Sequence, residues 1–212
     1  MGLFSKKPKC PYCNFDLDKK PTRKKKCPNC SEYIFVWKGD IYTEKQVKDL
    51  KLKSKWLRIL ERFGATEAMF TKVRKNLSKR FGFEASVNDT IWGIMNTLTG
   101  QQEDLIDIYL LYLLMGDFVE EEGKDPEPYV RQAMQLKGTR IKKEVLGYKK
   151  ELGEYYKLRV KVYTLNDDIV CDRCNEISKR TYNIDDFLKK MPIPNNCSNP
   201  RGCRCNVAFK LD

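Results

Sequence analysis

Nine cysteines and no histidine set the chemistry of this chain, and the cysteines stand only near its two ends. Cys10-Pro-Tyr-Cys13 and Cys27-Pro-Asn-Cys30 are two C-x2-C pairs, separated by thirteen residues. A C-x2-C turn aims two sulfurs at one point, and two such turns close a tetrahedral four-thiolate zinc site. A closed site leaves no position for a reacting water, so its expected role is structural. A pair of redox C-x-x-C motifs is the alternative, but no βαβ pattern of the thioredoxin kind surrounds either pair. At the other end stand Cys171-Asp-Arg-Cys174, Cys197 and Cys203-Arg-Cys205. Zinc takes four ligands and five thiols are offered. Cys171 and Cys174 are expected ligands, completed by two of Cys197, Cys203 and Cys205. Cys197 with either Cys203 or Cys205 is the favoured set, which leaves one thiol over. The reading is two zinc ions per chain.

Without an imidazole there is no Ser-His-Asp triad, Cys-His pair or HEXXH zinc protease. No G-x-G-x-x-G or Walker-type glycine loop is present. The carboxylate pairs Asp104 with Asp107, Asp167-Asp168 and Asp185-Asp186 lack a recognisable nuclease arrangement and read as surface charge. The expectation is a protein that is not an enzyme.

The net charge of +12 is unevenly spread. Residues 1–80 carry 22 basic and 8 acidic side chains, residues 81–138 carry 3 and 11, and residues 139–212 carry 16 and 10. A basic N-terminal third suggests a polyanionic partner, nucleic acid above all. Arg23, Lys24, Lys25 and Lys26, placed in the loop between the two C-x2-C turns, are the candidate phosphate contacts. Tyr12, Tyr33, Phe35 and Trp37 offer stacking faces, or cover a small core. An ordinary solvated lysine-rich surface is the plain alternative. No apolar run approaches the ~18 residues of a membrane span, Ile108 to Met115 being the nearest. No leader is evident at the N-terminus, and Met1-Gly2 is set against myristoylation by Lys6, so a reducing cytoplasm is expected.

Several elements must position these groups. Tyr33–Trp37 is rich in aromatic and β-branched residues and predicts a strand. Thr43-Glu-Lys-Gln46 reads as a capping box, followed by a helical stripe of Val47, Leu50, Trp56, Leu57, Leu60 and Phe63 that stops at Gly64. Thr66 opens a second helix (Met69, Phe70, Val73, Leu77) ending before Gly82. A third is expected from Asn88, and a fourth from Thr99 with its C-terminus at the acidic Glu120 to Glu122. A fifth follows Asp125-Pro126, with a possible break at Gly138. Arg159–Leu165 alternates as a strand, Phe187 sits in a short helix, and Asn206–Phe209 closes as a strand. The class is α+β: a mainly helical body over residues 41–157, flanked by small cysteine-bearing modules over 1–40 and 158–212.

The first module resembles a zinc ribbon over residues 8–38, a family that binds DNA, RNA or protein. Residues 158–208, with C-x-x-C, Phe187, the Pro192-Ile-Pro194 segment and C-R-C, resemble the end of phage Mu F-like minor head proteins. The chain departs from that pattern at Asn195-Asn196-Cys197 and by the insertion Ser198 to Gly202. The whole chain resembles uncharacterised bacterial and prophage proteins with a zinc ribbon on a helical body. Composition and motifs together point to a non-catalytic zinc-binding protein that contacts nucleic acid or acts as an adaptor to a protein partner. The alternatives are a prophage-derived structural protein of head morphogenesis and a metal-dependent nuclease with an unrecognised carboxylate site. Neither a membrane nor a small-molecule substrate is expected.

Overall fold

Turn chemistry organises the N-terminal end of the computed structural model, which describes residues 7–211 except 154, 166, 168 and 196. The Met1-Gly2 segment and Asp168 therefore lie outside the described residues. Among the described residues, seven helices and two small antiparallel sheets make an α+β protein. The chain forms two compact units, Met1–Ile94 and Met95–Asp212.

In the first unit, β1 (Lys25–Lys26), β2 (Tyr33–Trp37) and β3 (Asp40–Tyr42) form a sheet in that order. Trp37 pairs with Asp40, so Lys38 and Gly39 make a two-residue turn. Both have positive φ, 47° and 84°, the left-handed geometry that matches the twist of a hairpin. The basic run was expected in a loop. Its second half instead forms β1, because Lys25 and Lys26 pair with Ile34 and Tyr33.

The expected capping box is present at α1 (Glu44–Leu60): Thr43 Oγ1 accepts from Gln46 N, and Gln46 Oε1 accepts from Thr43 N. Val47, Trp56, Leu57 and Leu60 are buried, and Gly64 ends the following 3-10 turn in the left-handed region. Helix α2 (Glu67–Phe81) is capped by Thr66 and closed by Gly82. Helix α3 (Val87–Gln101) starts ahead of the expected Asn88. Ser86 and Asp89 hydrogen-bond each other's backbone N–H, a capping box with aspartate in the third position. Gly93 lets α2 approach, since a Cβ there would lie 2.8 Å from Val73 Cγ1.

In the second unit, α4 (Leu105–Glu121) begins later than Thr99 suggested. Thr99 Oγ1 donates back to Met95 O within α3, and Asp104 is the cap that starts α4. Helix α5 (Glu127–Leu152) runs unbroken through Gly138. A Cβ at Gly138 would make ordinary contact with Pro194, 3.4 Å from its Cδ. The second sheet has the order β5-β4-β6, with β4 (Leu158–Tyr163), β5 (Thr181–Asn183) and β6 (Asn206–Leu211). Alternation in β4 buries Leu158, Val160 and Val162. Helices α6 (Asp172–Ser178) and α7 (Ile184–Lys190) add Ile177, Ile184 and a fully buried Phe187. Ile141 and Val145 of α5 complete the same core. Among the described residues no helix is long and apolar enough to cross a membrane.

Candidate metal centres

The first cluster is built from two near-identical turns. Asn14 N donates to Cys10 O and Ser31 N to Cys27 O, while Cys10 N donates to Phe15 O and Cys27 N to Glu32 O. Asn14 and Ser31 each adopt a left-handed φ, 59° and 62°. Both pairs thus use the same fold-back to aim their sulfurs together. The four Sγ atoms of Cys10, Cys13, Cys27 and Cys30 all lie within 4.8 Å of one another. Cys10 to Cys30 is 3.9 Å and Cys13 to Cys27 is 3.7 Å. The Phe15 backbone N–H and the Asn29 amide hold the Cys13 thiol down at about 6, favouring the thiolate that binds a metal.

The second cluster is organised differently. Cys171 is the N-cap of α6 and its sulfur accepts from Cys174 N. The expected C-x2-C turn is therefore the first turn of a helix, one the sequence pattern did not reveal. Cys197 comes from the loop after α7. Cys203 and Cys205, both buried, stand just ahead of β6. The sulfurs form two triads, Cys171-Cys174-Cys197 and Cys174-Cys203-Cys205, each within 4.8 Å internally and sharing Cys174. Cys171 to Cys197 is 3.7 Å, Cys174 to Cys197 is 3.8 Å and Cys174 to Cys203 is 3.9 Å. The structure thus brings all nine predicted cysteines into groups that could bind a metal ion.

A buried lysine adjoins the second cluster, and sequence inspection missed it. Lys137, only 5% exposed, donates from Nζ to Cys203 O at 2.7 Å. Burial pushes its pKa down, while the neighbouring thiolates pull it back up. The Cys205 thiol, backed by the Lys137 charge, holds Cys203 down at about 5. Its place within the apolar pattern of α5 gave no signal, because the contact comes from a segment 66 residues away.

The basic residues Arg23, Lys24, Lys25 and Lys26 are exposed. Tyr33, Phe35 and Trp37 alternate with Ile34, a buried residue of the N-terminal core, so they share the opposite face of β2. Lys24 Nζ lies 4.5 Å from the Tyr33 ring centroid and 4.7 Å from that of Phe35, and Lys26 Nζ is 5.3 Å from Tyr33. Lys51 of α1 lies over Trp37. Tyr12 is engaged elsewhere, since its hydroxyl accepts from Glu44 N and steadies the start of α1.

Four of the carboxylates weighed as nuclease ligands have local partners. Asp104 caps α4, Asp185 pairs with Lys149, Asp186 is hydrogen-bonded to Asn183, and Asp167 pairs with Arg204. Among the described residues, the groups of three or more side chains that could hold a metal ion consist of cysteines alone. Comparison with protein-family models, curated proteins and solved structures found no match to this chain.

Proposed function

We propose that this is a non-catalytic zinc protein whose N-terminal unit binds nucleic acid. Zinc is the metal that suits the first cluster. Tetrahedral thiolate zinc with bonds of ~2.3 Å places its sulfurs ~3.8 Å apart, close to the observed 3.7 and 3.9 Å separations. The donor set is soft and contains no imidazole. The second cluster has comparable sulfur separations of 3.7–3.9 Å and takes the second ion.

The observation that carries the nucleic-acid reading is the face of β2, where Tyr33, Phe35 and Trp37 sit under Lys24, Lys26 and Lys51. Aromatic planes interleaved with ammonium groups suit a single strand: bases stack while the lysines meet phosphates. Tyr33 remains 45% exposed, which leaves its ring accessible to a base. No base-specific readout is implied, since phosphate contacts carry no sequence information.

The test is fluorescence anisotropy with labelled single-stranded and duplex DNA and RNA across a salt series. Binding should favour single strands and weaken steeply with salt. Lys24→Ala with Lys26→Ala should weaken binding and flatten the salt slope, and Tyr33→Ala should weaken it without changing that slope. Absence of binding at low salt would overturn this reading. Capture of phage head or portal proteins by the intact chain would then favour the head-morphogenesis alternative.

A further inference from the structure

The two clusters hold different numbers of thiols, and the surplus has a definite location. At the N-terminal end four sulfurs are all mutually close. At the C-terminal end the sulfurs close only as two triads joined at Cys174. Two observations then choose different fourth partners for Cys171, Cys174 and Cys197. A small cavity of about 10 Å³, the size that admits one small particle, is bordered by Cys171, Cys174, Cys197 and Cys205, with Cys203 outside its wall. Yet a short sulfur approach runs from Cys174 to Cys203, at 3.9 Å. Cys203 and Cys205 are both buried, on either side of the half-buried Arg204.

We propose that the C-terminal cluster holds one zinc ion on Cys171, Cys174 and Cys197, with a fourth position that Cys203 and Cys205 occupy in alternation. This inference rests on the zinc reading above. It makes the C-terminal cluster an exchange site and the N-terminal one a fixed clamp. The step is a ligand substitution. The incoming thiol gives up its proton as its sulfur bonds zinc, the outgoing zinc–sulfur bond breaks, and the departing thiolate takes that proton. Charge and oxidation state are unchanged, and no co-reactant is needed. The Cys203 and Cys205 sulfurs lie within 4.8 Å of each other, so the handover needs only side-chain rotation and a small shift of the ion. Lys137 anchors the segment during the exchange by binding the Cys203 carbonyl, which is backbone and does not leave.

The experiment uses the full chain loaded with zinc, with metal counted by native mass spectrometry and elemental analysis. The wild type should carry two ions. Cys203→Ser and Cys205→Ser should each keep two, and the double variant should keep one. Cadmium-113 NMR of the substituted protein supplies a second readout. The C-terminal resonance should be exchange-broadened in the wild type and sharp, still of four-sulfur type, in each single variant. Circular dichroism and the β4–β6 amide signals check that the variants are folded. Loss of the second ion in only one single variant would overturn alternation in favour of a fixed set of four. Three ions in the wild type would overturn it in favour of one ion per triad. A wild type carrying one ion, lost in Cys13→Ser, would overturn the C-terminal zinc reading itself.

Discussion

The two cysteine clusters rest on very different amounts of apolar structure. Beneath the N-terminal one lie four buried residues, Cys10, Leu17, Cys27 and Ile34, two of which are proposed ligands. Around the C-terminal one lie thirteen, and ten of those are not cysteines, drawn from α5, β4, α6, α7, β6 and the loop at Ile193. Fully burying a large aliphatic or aromatic side chain contributes roughly 1.5–3 kcal/mol. Leu17 and Ile34 alone cannot offset the cost of ordering thirty residues, so on the zinc reading the metal would carry the first module. The second has a core of its own, to which a bound metal would fasten loops. On the proposed zinc reading, similar chemistry would serve as the fold in one place and as a clasp in the other.

Metal removal gives the largest expected contrast. Zinc binding supplies on the order of 10–16 kcal/mol in finger peptides, as much as the whole stability of a typical domain. A strong chelator should therefore abolish hydrogen-exchange protection over β2 and β3 while β4 and β6 keep most of theirs. Equal loss at both ends would break the comparison. Removing the apolar support should reverse it. Phe187 is fully buried and edge-stacked with Tyr182, so Phe187→Ala should cost about 3–5 kcal/mol and unfold the C-terminal sheet even with zinc present. Denaturation followed by near-ultraviolet signals from that unit would check this.

A smaller effect is expected at Gly202, which has φ of 84° and would place a Cβ 2.5 Å from Met134 Cε. Met134 Sδ in turn accepts from Cys203 N. Gly202→Ala should cost about 2 kcal/mol through left-handed strain and overpacking, and should weaken C-terminal metal binding alone. Competition with a zinc indicator, read separately for each site, would test it. The smallest effect belongs to Thr43→Ala. Loss of that capping box should lower thermal stability by about 1 kcal/mol and leave the metal count at both ends unchanged. A change in metal content there would tie α1 to the N-terminal cysteine module more closely than a cap does.

Elements that announce themselves locally were legible: the strand of β2, the caps at Thr43 and Thr66, and the stops at Gly64 and Gly82. Errors arose where one residue type has two uses. Thr99 resembles a cap but bonds backward inside α3, and Gly138 resembles a break but lies within the continuous α5. Cys171-Asp-Arg-Cys174 resembles a second ribbon turn but starts a helix. The N-terminal group of four cysteines was legible as a group because its spacing is local and repeated. The C-terminal site was legible only as a set of candidates.

Composition and spacing alone determined that metal chemistry here would be all-thiolate, that it would sit at both ends, and that the class would be α+β. Those properties depend on residue type, short-range turn geometry and helical period, all of which act over a few positions. Tertiary structure decided which sulfurs meet. It joined two triads at Cys174, set Lys137 against Cys203, and turned the aromatic face of β2 away from Ile34 and toward the lysines. Each of these is a meeting of segments far apart in the chain or on paired strands. Only the packing of the core and the register of the sheets bring them together.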